Sequence, residues 1–199
     1  MSEAKSIKII LLGESGVGKT NLINVALDRE FENNSNVTVN SSFLEGVLEY
    51  NEKKYSYSLW DTAGQELYRS LNKIFVKGSK IVLFVYSIDN KESFNQIEYW
   101  IKSTQEILGE DQYISALIAN KSDLFENQKI SNDEGKQLSK KYHMKFGLTS
   151  ACCDAEGFKQ ILKDLILDYI HLIGPEEEKY LNIIIRKPKS KNIKKKACC

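Results

Sequence analysis

Gly13-Glu14-Ser15-Gly16-Val17-Gly18-Lys19-Thr20 follows directly on the apolar run Ile7 to Leu12 and precedes a helix-compatible segment. It fits G-x-x-x-x-G-K-[ST] in the strand–turn–helix context that gives this pattern its physical content. The glycines let the backbone curl so that successive N–H groups point inward at a polyphosphate. Lys19 supplies a point charge for the β and γ groups, and the Thr20 hydroxyl is an oxygen ligand for Mg2+. Ser15, Gly16, Val17, Gly18, Lys19, Thr20 and the adjoining Asn21 are the candidate phosphate-binding residues.

A phosphate cradle does not name a base. Ala119-Asn120-Lys121-Ser122-Asp123 closes a second apolar run, Ile114 to Ala119, and supplies N-K-x-D. A carboxylate at Asp123 accepts from both N1–H and the 2-amino group of guanine, whereas adenine offers neither donor there. A site built around such a matched pair rejects the analogue lacking it by about 10⁴ to 10⁵. Asn120 is placed to tie this loop back to the phosphate loop, and the Lys121 stem to cover one face of the base.

The third element, Trp60-Asp61-Thr62-Ala63-Gly64-Gln65-Glu66, ends the alternating stretch Tyr55 to Trp60. With all three motifs in this order the chain resembles a small GTPase of the Ras superfamily. The resemblance implies that Asp61 holds Mg2+ through water, that the Gly64 N–H senses the γ-phosphate and that Gln65 orients the attacking water, with Lys19 as the other catalytic group. It places Thr38 on Mg2+ and γ-phosphate, and Phe31 beside the base. The plainer alternatives for these residues are a local core contact for Phe31 and a solvated loop hydroxyl for Thr38. Ser150-Ala151-Cys152 lies where the family carries Ser-Ala-Lys near the base. The expected cofactors are GTP or GDP and Mg2+.

At 199 residues, 42% hydrophobic and 28% charged, the chain holds one full core rather than two domains. Strand patterns end at Leu12 and span Phe43 to Tyr50, Tyr55 to Trp60, Ile81 to Tyr86, Ile114 to Ala119 and Lys145 to Thr149. Helical patterns start at Thr20 and after Glu66, and span Lys91 to Leu108, Asp133 to Tyr142 and Ala155 to Leu172, where Gly174-Pro175 closes the last. This alternation predicts an α/β fold, a mostly parallel six-stranded sheet with helices on both faces. The short Asn51-Glu52-Lys53-Lys54 link makes one edge strand antiparallel. The resemblance names this architecture the P-loop NTPase small G domain. Trp100, His143 and His171 have no metal-ligand spacing and read as core or surface residues.

The predicted organisation is an N-terminal extension over 1–5, a G domain over 6–173 and a flexible, hypervariable tail over 174–199. Residues 179–199 carry eight basic side chains and no acid, against 20 basic and 27 acidic in the remainder, so the near-neutral net charge of +1 hides a polarised molecule. The acidic body and the absence of a basic face elsewhere speak against nucleic acid as partner. No leader is expected at the start, and no apolar run reaches the ~18 residues that span a bilayer. Cys198-Cys199 after Lys194-Lys195-Lys196 is not C-a-a-X, and resembles the double-prenylation end of the Rab branch. That implies geranylgeranylation through an escort protein, and residence on the cytoplasmic face of an endomembrane or vesicle with a cytosolic, inhibitor-bound pool. Leu181-Asn182-Ile183 is an apolar-x-apolar element that such an escort could grip, or a patch that packs back on the body.

Phe43, Trp60 and Phe75 have the spacing of the aromatic triad through which Rabs meet effectors. The resemblance covers residues 6 to about 172 plus the terminus, and it departs at Thr38-Val39-Asn40-Ser41-Ser42-Phe43, at Leu67-Tyr68-Arg69 and at Cys152. The reading is a divergent Rab-like switch in membrane trafficking, served by an exchange factor, a GTPase-activating protein and a GDP dissociation inhibitor. Its arginines are Arg29, Arg69 and Arg186, none just before Thr38, so fast hydrolysis needs the activating protein. The alternative is a non-cycling, GTP-bound interaction module with eroded switches.

Overall fold

The computed structural model describes residues 6–31, 42–61, 72–109, 111–178 and 181. Its elements run β1 (Ile7–Leu12), α1 (Lys19–Ala26), β2 (Ser42–Tyr50), β3 (Lys53–Asp61), α2 (Asn72–Val76), β4 (Ile81–Ser87), α3 (Lys91–Asn95), α4 (Ile97–Leu108), β5 (Ile114–Asn120), α5 (Asn132–Lys141), β6 (Lys145–Leu148) and α6 (Ala155–Glu178). The sheet order is β2-β3-β1-β4-β5-β6, with β2 antiparallel to β3 and every other pair parallel.

Near-continuous apolar runs in β1, β4 and β5 suit strands covered on both faces. Their period of two splits the core. Ile7, Ile9, Leu11, Ile81, Leu83, Val85, Ala116 and Ile118 face a cluster with α1 and α6. Ile10, Leu12, Val82, Phe84, Tyr86, Leu117 and Ala119 face a second cluster with α4. On α4 the buried residues Ile97, Trp100, Ile101, Thr104 and Leu108 form one stripe at helical spacing. The six strands, the antiparallel edge and the two helical layers match the sequence expectation.

Three boundaries differ from it. The helix expected over Lys91 to Leu108 is two, because Gln96 relaxes to φ −78°, ψ −11°. Asn90 caps the first piece, and Ser93 Oγ ties it to Asn90 O and to the Ser87 N–H. Ser122–Asn127 forms a 3-10 turn that no apolar period announced. The last helix does not stop at Gly174-Pro175. Gly174 takes φ 72°, outside helical geometry, and Pro175 opens a further turn in which its missing N–H costs nothing. That turn brings Glu178 to Lys53 (2.7 Å) and to the Tyr55 hydroxyl, and Leu181 is 7% exposed within the first cluster. Leu181 thus follows the packing-back reading. The expected helix after Glu66 begins outside the described residues, of which α2 is the adjoining part.

Candidate functional site

The parallel strands deliver their C-terminal ends to one edge of the sheet, and the crevice opens beside β1, where connections leave in opposite directions. The phosphate-type loop leaves β1 there. Gly13 has φ 152°, and a Cβ on it would lie 2.1 Å from Val85 O. Gly18 has φ 95°, and a Cβ would lie 2.5 Å from Asn120 Nδ2. Only glycine satisfies both positions, so the loop's shape follows from its composition. Gly18 is also the N-cap of α1 and offers no side chain to the first turn, leaving that turn's N–H groups directed into the loop.

Lys19 is 5% exposed, and its ammonium donates to Gly13 O at 2.7 Å and to Glu14 O at 2.8 Å. Burial pushes it down to about 8, against the upward pull of the Asp61 and Glu14 carboxylates. A buried cation clasped by carbonyls inside an anion-shaped loop fits a polyphosphate, which would repay its lost hydration. Parallel pairing places Asp61 beside Leu11, and Thr20 Oγ1 donates to Asp61 Oδ2 at 2.8 Å. A hydroxyl and a carboxylate in contact are the hard oxygens Mg2+ prefers. Asn21 is buried on α1.

Asn120, 1% exposed, joins the two loops across 103 residues: its Nδ2 donates to Val17 O at 2.8 Å and its Oδ1 accepts from the Ala151 N–H at 3.2 Å. The neighbouring loops are pinned by the Thr149 N–H on Ala119 O (2.9 Å) and the Ser122 N–H on Thr149 O (3.1 Å). Lys121 holds a left-handed φ of 62°. Asp123 is exposed, and its Oδ1 accepts from Ser150 Oγ, which in turn accepts from the Cys153 N–H at 3.1 Å. The Ala151 N–H is thus engaged by Asn120. Phe31 packs half-buried against the first core cluster.

Trp100, read from sequence only as a core or surface residue, is buried and does more than pack. Its indole N–H donates to Glu14 Oε1 at 3.2 Å, bracing the phosphate-type loop from α4. The one available signal was general: a buried Trp seeks a partner for its N–H. Phe43 and Trp60 stand opposite each other in the β2–β3 register and stack at 5.0 Å between centroids, with Phe75 6.3 Å from Trp60. Phe43 is 52% exposed, and Lys8 Nζ sits 4.3 Å from the Trp60 ring centre. Thr38, Gly64, Gln65, Lys194, Lys195, Lys196, Cys198 and Cys199 lie outside the described residues.

The Ras family model matches residues 8–170. The Ras-related protein Rab-11B of Dictyostelium discoideum is 41% identical over 144 residues, 72% of this chain and 65% of that protein. The chain thus spans just under two thirds of that relative's length. Rab-2B of the same organism is 34% identical over 72% of this chain and 71% of its own. Rab-18 of Lymnaea stagnalis is 29% identical over 90% of this chain and 88% of its own. With a phosphate-type loop, a base-type loop and the strand order that joins them, this chain belongs to the Ras family and is a Rab-like small GTPase.

Proposed function

We propose that this protein is a membrane-trafficking switch that binds GTP or GDP with Mg2+ in the crevice and hydrolyses GTP to GDP and phosphate. The observation that carries the reading is Asn120, whose amide bonds both Val17 O and the Ala151 N–H. It fixes the distance between a phosphate cradle and a carboxylate that guanine's N1–H and 2-amino group match. In this reading Ser15, Gly16, Val17, Gly18, Asn21 and Lys19 hold the phosphates. Lys121, Asp123, Ser150, Ala151, Cys152 and Phe31 surround the base. The Ala151 N–H reaches the base oxygen by sharing with Asn120. Thr20, Asp61 and Thr38 hold Mg2+, which when bound neutralises charge on the phosphates. Gln65 orients water, and Gly64 and Thr38 tie the switch segments to the γ-phosphate until hydrolysis releases them.

The contiguous Phe43, Trp60 and Phe75 surface supports effector docking in the manner of the family. An exchange factor, an activating protein and a GDP dissociation inhibitor complete the cycle. The basic tail and geranylgeranylated Cys198 and Cys199, delivered through an escort protein, anchor it to the cytoplasmic face of an endomembrane. Competition of labelled GDP against GTP and ATP tests the base, and single-turnover hydrolysis with and without Rab-directed activating proteins tests the switch. GTP retained without turnover in either condition selects the non-cycling module, and ATP competing as well as GTP overturns the reading.

A further inference from the structure

The pattern G-x-x-x-x-G-K-[ST] leaves its second position open, and in this chain Glu14 fills it, an acid inside a loop shaped for anions. Glu14 is half-buried, and the loop's cation, Lys19, donates to the Glu14 carbonyl at 2.8 Å. The carboxylate therefore hangs from the residue that the ammonium clasps, and its rotamer sets how close the two charges come. A carboxylate seated on Lys19 would compete with phosphate for the same N–H groups and repel an anion entering the loop. In the folded protein one of its oxygens is held by α4 instead: the Trp100 indole N–H donates to Glu14 Oε1 at 3.2 Å.

The donor is firmly seated. Trp100 is 5% exposed and lies in the second cluster with Ile97 and Ile101 of its own helix and with Ile10 and Leu12, the strand end from which the loop departs. An indole N–H donates only, and it carries no charge. It can hold a carboxylate without adding a cation that would draw phosphate away from Lys19. We propose that Trp100 is a positioning residue for nucleotide binding, holding the Glu14 carboxylate on the α4 side of the loop so that the Lys19 ammonium stays open to the β-phosphate. The inference rests on the reading of the crevice as a guanine-nucleotide site.

The test is a double-mutant cycle on the full chain, read as affinity for fluorescent GDP in the presence of Mg2+. Trp100→Phe keeps an aromatic ring in the cluster and removes the N–H. It should weaken GDP binding about tenfold, the low end for a hydrogen bond to a charged group. The same substitution in a Glu14→Gln background should cost less than about twofold, because the side chain set loose there carries no charge. Affinity for GMP, which offers Lys19 no β-phosphate, should be unchanged in Trp100→Phe when measured by competition. Trp100→Leu removes the N–H in a second way and should show the same dependence on Glu14, so the cycle stands if one variant fails to fold. Unchanged GDP affinity in Trp100→Phe overturns the inference. Equal losses in the two backgrounds, or a loss shared by GMP, mean lost packing rather than a released carboxylate and overturn it as well. Wild-type protein that binds neither GDP nor GTP overturns the guanine-nucleotide reading itself, whereas the other outcomes leave that reading intact.

Discussion

Lys19 links nucleotide binding to pH. Its ordinary value of 10.5 falls to about 8 because burial penalises the ammonium more than Asp61 and Glu14 support it. That displacement is worth about 3 kcal/mol in favour of the neutral amine. Between pH 8 and 10.5 the unfolded chain carries a proton on this lysine that the folded, ligand-free chain does not. Folding stability of the ligand-free protein therefore rises with pH through that window. Binding a polyphosphate has the opposite sign, because it requires the ammonium. Tyr55 and Tyr86, whose hydroxyls burial holds above their usual range, act only beyond pH 10, and Cys152 only above 9. The clean window is pH 7 to 9. There, association of GDP should take up about half a proton at pH 8 and nearly one at pH 9, and affinity should weaken about tenfold between pH 7 and 9. Titration calorimetry in buffers of different ionisation enthalpy measures the proton count, and fluorescent GDP measures the affinity. Lys19→Met should bind weakly and lose the dependence. A flat affinity with no proton uptake at pH 8 to 9 would refute the assignment of a depressed lysine inside the loop.

Four further outcomes are expected. Asp123→Asn should turn preference from GTP towards xanthosine triphosphate in competition binding, since an amide donates where the carboxylate accepted; retained GTP preference refutes the base assignment. Leu181→Ala should destabilise the fold by about 2 to 5 kcal/mol in urea titration, as a buried leucine does and an exposed tail residue does not. Cys198→Ser with Cys199→Ser should render the protein cytosolic on fractionation. Neutralising Lys194, Lys195 and Lys196 should weaken membrane retention in a salt-dependent way, and an unmodified C-terminal peptide from membrane-bound protein would sink the anchor.

Much of the site was legible because its parts are local. Gly13 to Thr20 forms a loop whose curvature is written in glycines that no other residue replaces, and a turn of eight residues needs no distant contact to take shape. The β4 and β5 runs declared buried strands by their lack of polar alternation, and the Asn51 to Lys54 link declared the antiparallel edge. The split at Gln96 was not legible, because the pattern Lys91 to Leu108 is helical throughout and the interruption comes from Ser93 anchoring to β4. Nor was the turn after Gly174, since Gly-Pro ends a helix locally while Lys53 and Tyr55, more than 120 residues earlier, hold Glu178 and recruit a new one.

The sequence by itself determined which chemical groups are present and in what order: a glycine-rich loop of backbone donors, a lysine, the Asn and Asp of a base-type loop, and a hydroxyl and a carboxylate of the hard-oxygen kind that suits Mg2+. Tertiary structure alone decided their distances. The β1–β3 register puts Asp61 against Thr20, and the ends of β5 and β6 bring Asn120 and Ala151 together over Val17. It also gave Glu14 its brace from Trp100, a contact across 86 residues. The division has one cause. Local composition sets backbone curvature and side-chain chemistry, whereas a hydrogen bond between distant residues exists only once hydrophobic burial on both faces of the sheet has fixed where the strands end.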